Sequence, residues 1–149
     1  MPERNQLDLG NYLPYLINRV GFVLVANFTA DALKQHDLSI DMWRVLAALS
    51  SSGGQRQVDL PGMTSIDAST MSRLVSRLVR LGLVTRSRSQ KSSREVVVAL
   101  SPKGRVLVQR LIPIANKLEQ TAAAGLSPKD LAVVKRLLTR MHENLSAGR

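Results

Sequence analysis

The chain has 149 residues, of which 44% are hydrophobic and only 3% aromatic, and it carries a formal net charge of +10 with no cysteine. This length suits one compact domain with an aliphatic, mostly helical core. The lack of cysteine excludes disulfides, thiolate metal sites and cysteine nucleophiles, and the two isolated histidines match no metal-ligand spacing, so we expect neither a metal nor another cofactor.

The N-terminal third predicts two helices. Apolar residues recur at spacings of three and four over residues 11–35, and Ser39, followed by Asp41, is a good cap for a second helix that ends in the serine and glycine run 50–54. The most apolar run, Val20 to Ala30, is shorter than the roughly 20 residues that cross a bilayer. Because the first residues also lack the pattern of a signal peptide, we expect a cytoplasmic protein with no membrane partner.

The middle of the chain predicts a helix-turn-helix followed by a hairpin. A short helix around residues 57–64, limited by Pro61-Gly62, precedes a helix that begins at Asp67 and stops at Gly82. Two strand-like segments then follow, separated by a polar turn; they are residues 83–89 and 94–100, with the turn at Gln90, Lys91, Ser92 and Ser93.

The C-terminal third predicts two more helices. Ser101-Pro102 and Ser127-Pro128 are both cap-and-proline starts, and Pro113 is expected to bend the first helix. The small central module cannot cover the apolar stripes of all the terminal helices, so pairing with a second copy is the economical arrangement; folding back on the module is the alternative. The predicted fold is therefore mainly α, a winged helix-turn-helix with a small β-hairpin wing plus N- and C-terminal dimerisation helices.

The positive charge is concentrated in the central segment. Residues 60–105 hold nine Lys/Arg against two Asp/Glu, whereas residues 1–59 hold five against six and residues 106–149 hold seven against three. A localised basic field attracts phosphate, whereas a merely solvated basic face would carry evenly spread charge. The distribution therefore favours a nucleic-acid partner.

The helix that begins at Asp67 has the residues of a major-groove reader. The second helix of a helix-turn-helix can lie in the major groove, where short hydroxyl side chains reach phosphates or base edges and arginines pair with guanine. The alternative is a set of solvent-facing residues that happen to be basic. The candidate DNA-binding residues on this helix are Ser69, Thr70, Ser72, Arg73 and Arg77.

The hairpin has the residues of a minor-groove reader. A two-stranded arm with a basic tip can place an arginine in the minor groove, whose width and negative potential favour it. A solvated run of charge is again the alternative. The candidate DNA-binding residues of the hairpin are Arg86, Arg88, Lys91 and Arg94.

Four stretches of the chain carry a recognisable pattern: Leu38-Ser39-Ile40-Asp41-Met42-Trp43-Arg44-Val45-Leu46, Ser69-Thr70-Met71-Ser72-Arg73-Leu74-Val75, Leu81-Gly82-Leu83-Val84, and Arg94 through Leu100-Ser101-Pro102-Lys103-Gly104. They resemble the MarR family of transcription regulators, whose pattern is a winged helix-turn-helix ending in a leucine, a hydroxyl residue and Lys-Gly. Two departures stand out: Ser89 and Ser92 replace aspartates of the wing turn, so a carboxylate that would hold Arg94 is missing, and Pro61 replaces a helix former.

This resemblance implies a homodimeric repressor that binds a pseudo-palindromic operator in double-stranded DNA. The recognition helix then corresponds to residues 67–81 and the wing to residues 83–100, with Arg94 as the wing-tip arginine that enters the minor groove. The implied organisation is one MarR-type domain over residues 1–149, with the DNA-binding lobe at 38–102 and dimerisation helices at 8–36 and 103–146.

The resemblance also implies a small-molecule effector. Many relatives release DNA when an aromatic or phenolic compound, or its coenzyme A thioester, binds between the dimer helices and the DNA-binding lobe. An arginine on an apolar helix face can pair with a carboxylate or phosphate while aromatic side chains cover a ring. Alternatively, Trp43 and Phe22 belong to the core, Tyr15 is a half-buried anchor and Arg19 pairs within the dimer. The candidate effector-binding residues are Tyr12, Tyr15, Arg19, Phe22 and Trp43.

Other functional classes fit the sequence less well. An architectural DNA-coating protein without ligand sensing is the main alternative, and it predicts little sequence preference. The sequence contains no carboxylate pair, activated nucleophile, phosphate loop or metal cluster that would indicate an enzyme. An RNA-binding module is disfavoured because no aromatic residue follows Trp43 to stack on bases.

Overall fold

The computed structural model of the protein describes residues 5–92 and 94–148, and in this part of the chain it contains six α-helices and three β-strands. Two compact units are formed, one ending at Ala115 and one beginning at Asn116, so that their boundary lies two residues after Pro113. The elements are α1 Leu13–Phe28, α2 Ile40–Ser52, β1 Gln55–Arg56, α3 Leu60–Thr64, α4 Ala68–Arg80, β2 Val84–Arg88, β3 Val96–Leu100, α5 Pro102–Ala122 and α6 Pro128–Ser146.

The core of the first unit is aliphatic, as the composition predicts. Helices α2 and α4 supply most of its fully buried side chains, and the edge-on contact between Phe28 and Trp43, with ring centroids 5.3 Å apart, adds the aromatic part. The largest fully buried side chains are Leu33, Met42, Val45, Leu46, Leu60, Met71, Val75, Leu78, Val98, Val108 and Leu111.

The first helix differs in detail from the single helix expected over residues 11–35. Its α-helical part ends at Phe28 and continues through a π-helical turn, Thr29–Leu33, and a 3-10 turn, Lys34–His36. The helix Leu13–His36 is long and apolar enough, by length and composition alone, to cross a membrane, with a mean hydropathy of 1.3 over its most apolar 18 residues. This corrects the expectation drawn from the shorter run Val20 to Ala30, which Asn27 interrupts. The exposed apolar side of the helix equally suits a partner helix.

The sheet has one strand more than the predicted hairpin. β1 pairs antiparallel with β3, with Gln55 opposite Val98, and β2 pairs antiparallel on the other side, giving the order β1-β3-β2. The helix expected over residues 57–64 is correspondingly divided, because Gln57–Asp59 forms a 3-10 turn and only Leu60–Thr64 is α-helical. Pro61 lies in the first turn of α3, where the missing N–H costs little.

Helix α4 begins at the predicted cap. The Asp67 carboxylate accepts the Thr70 backbone N–H at 2.8 Å and the Ser69 and Thr70 hydroxyls at 2.7 Å each. The hydrogen bond from the Thr70 backbone has the largest effect, and together with the two hydroxyl bonds it holds the pKa of the Asp67 carboxyl well below its usual range. The first turn of α4 is therefore organised around one ionised, exposed carboxylate.

The end of α4 is held by the start of α5. The Ser101 hydroxyl donates to the Gly82 carbonyl at 2.6 Å and accepts the Gly104 N–H at 3.0 Å, while Lys103 Nζ donates to the Leu81 carbonyl at 2.9 Å. Gly104 allows this approach, since a Cβ at that position would collide with the Leu83 carbonyl. We call this contact between residues 81–83 and 101–104 the α4–α5 joint.

Helix α6 belongs to the second unit and buries no residue in one protomer. Ser127 caps it as predicted, accepting the Asp130 N–H at 3.1 Å. Val134 and Leu138 on its apolar stripe are more than two-fifths exposed, and Leu145 is 77% exposed. This side of α6 lacks cover within the described part of a single chain.

The Asp67 cap gives the fold a specific pH dependence. Because the folded carboxyl has a lowered pKa, its stabilisation is present above the usual pKa of about 4 and is lost as the pH falls through the lowered value. We expect Asp67→Asn, which keeps a capping oxygen without the charge, to lower the urea midpoint near neutral pH. The difference from the wild type should shrink steadily towards pH 2 in urea titrations, and a constant difference would contradict this account.

The α4–α5 joint predicts an intolerance of any side chain at Gly104. Gly104→Ala should lower the free energy of unfolding by about 1–3 kcal/mol, because its Cβ forces residues 83 and 104 apart. Gly62→Ala is the matched control: a Cβ there meets no atom within 4 Å, and removing a helical glycine should raise stability by about 0.5–1 kcal/mol. Urea denaturation of both variants measures the contrast, and equal stabilities would refute the close approach.

Candidate nucleic-acid interface

Helix α4 separates a buried face from a basic exposed face. Met71, Val75 and Leu78 are buried, whereas Arg73 and Arg77, one turn apart, are exposed. Neither arginine takes part in any salt bridge between described residues. The two guanidinium groups are thus unneutralised and carried by a helix that the core holds in place.

The hydroxyl residues at the start of α4 are already engaged. Ser69 and Thr70 donate their hydroxyl hydrogens to Asp67, while Ser72 lies exposed one residue before Arg73. A hydroxyl that has given its hydrogen to a carboxylate keeps lone pairs that accept a hydrogen bond. In this state Ser69 and Thr70 therefore present acceptors, which suit base amino groups rather than phosphate oxygens.

Arg86 connects the wing to α4. From β2 its Nη2 reaches the Ser72 carbonyl at 3.2 Å and the Ser76 hydroxyl at 3.1 Å. The sequence suggested Arg86 as a DNA contact; in the structure its guanidinium lies against the exposed side of α4. The exposed sides of the helix and of the strand consequently adjoin, and they form one surface.

The wing turn is held by serine hydroxyls. Ser89 Oγ accepts the Lys91 N–H at 3.1 Å, Ser92 Oγ accepts the Arg94 N–H at 3.4 Å, and the Ser89 N–H donates to the Glu95 carbonyl at 2.8 Å. These serines make the local side-chain to backbone bonds that aspartates also make in turns. Arg94 and Lys91 are exposed there, and so is Arg88 on the neighbouring strand, whereas Ser93 lies outside the described residues.

An ion cluster beside the wing turn pairs Glu95, the one acid of residues 83–100. Arg56 donates to both oxygens of Asp59, at 2.8 and 3.1 Å, and to Glu95 at 3.0 Å. The hydrogen bonds to Asp59 and then Glu95 raise the pKa of the Arg56 guanidinium above its ordinary value. Glu95 is thereby paired across the sheet, and Arg94 beside it makes no salt bridge within the described chain.

The side chains suggested for an effector site are dispersed in one protomer. The Arg19 guanidinium lies over the Tyr15 ring, 5.5 Å from its centroid, and Trp43 packs on Phe28 instead of on either tyrosine. Phe22 is 77% exposed on α1, so it is not part of the core of one chain, and Tyr12 is exposed as well. A site that used all five would need further cover from another chain.

Sequence reasoning missed the residues that act through partners distant in the chain. Arg56 and Glu95 are 39 positions apart, and Lys103 is 22 positions from Leu81. Each looks like an ordinary charged surface residue when read locally. The only sequence signal was the Leu-Ser-Pro-Lys-Gly string, whose physical role at the α4–α5 joint becomes evident only in three dimensions.

Comparisons with known proteins agree with this architecture. The model of the MarR family matches residues 38–96. An HTH-type transcriptional repressor of Mycobacterium tuberculosis is 29% identical over 129 residues, covering 87% of this chain and 92% of its own length. A MarR-family transcriptional regulator structure from Silicibacter pomeroyi is 30% identical, with a TM-score of 0.82 and 95% of each chain covered.

A second solved structure is similar to the same extent. It is BpsR of Bordetella bronchiseptica, whose DNA binding is regulated by 6-hydroxynicotinic acid; it is 30% identical, with a TM-score of 0.78, and the match covers 87% of this chain and 98% of BpsR. The basic winged helix-turn-helix and these relatives lead to the same conclusion: the chain belongs to the MarR family, whose members are DNA-binding transcription regulators and not enzymes.

Proposed function

We propose that this protein is a cytoplasmic repressor that binds a pseudo-palindromic DNA operator as a homodimer and is released by a small aromatic or phenolic ligand or its coenzyme A thioester. The observation that carries the proposal is the single basic surface that Arg86 creates by joining the wing to α4. Arg56 is paired with Asp59 and Glu95, whereas Arg73, Arg77 and Arg94 are exposed and make no salt bridge between described residues.

The two parts of this surface suit different grooves. Helix α4 carries Arg73 and Arg77 at the spacing of one turn, so both can reach base edges or phosphates in a major groove. Ser69, Thr70 and Ser72 add hydroxyls near the helix start. The wing carries Arg94 at its turn, flanked by Lys91 and Arg88, where a narrow minor groove attracts an arginine.

Exposed apolar helix faces support the dimer. On α1, Leu13, Ile17 and Val20 follow one another at spacings of four and three, and each is more than two-fifths exposed. The stripe of α6 is exposed in the same way. Apolar stripes of this kind are stabilised by burial against a second copy, and two-fold symmetry then presents two α4 helices to successive major grooves about one helical turn apart.

A ligand that regulates a relative supports an effector of aromatic acid type. BpsR responds to 6-hydroxynicotinic acid, which combines a ring with a carboxylate. On this chain Arg19 and Tyr15 already form a cation–aromatic pair, and Tyr12, Phe22 and Trp43 supply further rings. The ligand would act by favouring a dimer geometry in which the two α4 helices no longer match the groove spacing.

Sequence preference is the property that separates a repressor from an architectural coating protein. A duplex selected from a random pool should bind the wild type at least about 1,000-fold more tightly than random DNA in gel-shift assays at fixed salt. Arg73→Ala should reduce the difference in binding free energy between selected and random DNA by about 1–3 kcal/mol, the value of one bidentate base contact. Equal binding of selected and random DNA would favour the architectural alternative, and equal losses on both would make Arg73 a phosphate contact.

The wing makes a separate prediction. Arg94→Ala should weaken binding to the selected duplex by about tenfold or more at moderate salt, without altering the dimer in analytical ultracentrifugation. Lys129→Ala removes the same charge from α6, outside the winged helix-turn-helix lobe, and should change affinity by less than about twofold. If Arg94→Ala behaves like Lys129→Ala, the wing arginine has no minor-groove role.

A further inference from the structure

Arg56 is the centre of the ion cluster beside the wing turn, which consists of Arg56, Asp59 and Glu95. Its Nε and Nη2 donate to the two oxygens of Asp59 at 2.8 and 3.1 Å, and its Nη1 donates to Glu95 Oε1 at 3.0 Å. The register of the sheet explains the contact with Glu95. Arg56 pairs with Val97, and Glu95 lies two positions before Val97, so Arg56 and Glu95 are diagonal neighbours on one face.

The ion cluster contributes little to the stability of the fold. The side chains of Arg56, Asp59 and Glu95 are each more than a third exposed. Water and salt screen exposed ion pairs, and ordering two long side chains costs entropy, so such pairs add little to the free energy of unfolding. The main consequence of the contact is therefore the place in which Arg56 holds the charge of Glu95.

Glu95 and Arg94 are consecutive residues of the same tight turn. The Ser92 carbonyl accepts the Glu95 N–H at 3.1 Å, and the Ser92 hydroxyl accepts the Arg94 N–H at 3.4 Å. If Arg56 did not bind the Glu95 carboxylate, the nearest cation in the chain would be Arg94, and opposite charges at close range pair. That pair would neutralise the guanidinium of Arg94 and place a carboxylate on the basic surface, where it would repel phosphate.

We propose that Arg56 is a positioning residue for DNA binding, which acts without touching DNA. By binding the Glu95 carboxylate on the β1 side of the sheet, Arg56 prevents it from pairing with Arg94 and from facing the phosphates. Asp59 holds the Arg56 guanidinium in place from the other side. The competition between Arg56 and Arg94 for Glu95 is a property of the protein alone, whereas its effect on DNA rests on the proposed function of the wing.

A double-mutant cycle on the intact protein tests the effect on DNA, at about 0.15 M salt so that distant charges are screened. Arg56→Gln should weaken binding to the selected duplex by about fivefold or more, because it frees Glu95. Glu95→Gln alone should change the affinity by less than about twofold, since Arg56 already binds that charge. Arg56→Gln combined with Glu95→Gln should return the affinity to within about twofold of the wild type.

Two results of this cycle would overturn the positioning role. An equal gain from Glu95→Gln in both backgrounds would mean that the charges simply add, and a lack of rescue would make Arg56 itself a DNA contact. Arg44→Gln is the matched control, because Arg44 is as exposed as Arg56 and also pairs with an acid three positions away, Asp41. It should change the affinity by less than about twofold, and a loss equal to that of Arg56→Gln would also contradict the proposal.

The competition for Glu95 can be measured without DNA. The NMR signal of the Arg94 Nε–H should shift in Arg56→Gln and return to its wild-type position when Glu95→Gln is added. Both variants lack the Arg56–Glu95 pair, so they differ only in the free carboxylate, and an unmoved signal would overturn the proposal. If the signal shifts while DNA affinity stays constant, Arg94→Ala separates the causes. A loss of affinity in Arg94→Ala then refutes the positioning role, whereas unchanged affinity refutes the proposed function of the wing and leaves the competition standing.

Discussion

The close contact between the end of α4 and the start of α5 is the constraint on which the basic surface of α4 and the wing depends. Three consecutive carbonyls, those of Leu81, Gly82 and Leu83, accept hydrogen bonds from the Lys103 ammonium, the Ser101 hydroxyl and the Ser101 N–H. Gly104 brings the two backbones together because it has no Cβ. A helix end without such partners would fray. Here it is fixed to the next helix, so any displacement of the start of α5 must also displace α4.

A second principle is the division of the exposed arginines into those that bind partners within the protein and those that make no salt bridge between described residues. Arg56 donates hydrogen bonds to Asp59 and Glu95. Arg86 donates to the Ser72 carbonyl and the Ser76 hydroxyl. These bonds set the position of the wing relative to α4. Arg73 and Arg94 make no salt bridge within the described chain, so no carboxylate of that part neutralises their charge. Net charge alone does not distinguish these roles, since the distinction comes from where the partners lie.

Local signals predicted the parts of the fold that local interactions determine. The caps at Ser39, Asp67 and Ser127 were correct because each bonds to a residue three positions away. β1 was missed, since a two-residue strand has no periodicity and exists only by pairing with β3, some 40 positions later. The same holds for the candidate site. Arg73 and Arg94 are exposed as expected, but the hydrogen bond by which Arg86 joins the wing to α4 links residues 14 positions apart, so the local sequence does not predict it.

The position of the joint also determines how a ligand can act on DNA binding. A ligand changes an equilibrium only through contacts that differ between the two states. An acid held solely by α1 side chains such as Arg19 would have to work through the packing of one helix against another chain. Lys103 lies closer to the basic surface, because its ammonium donates to the Leu81 carbonyl at the end of α4. A change at the start of α5 therefore acts directly on the helix that carries Arg73 and Arg77.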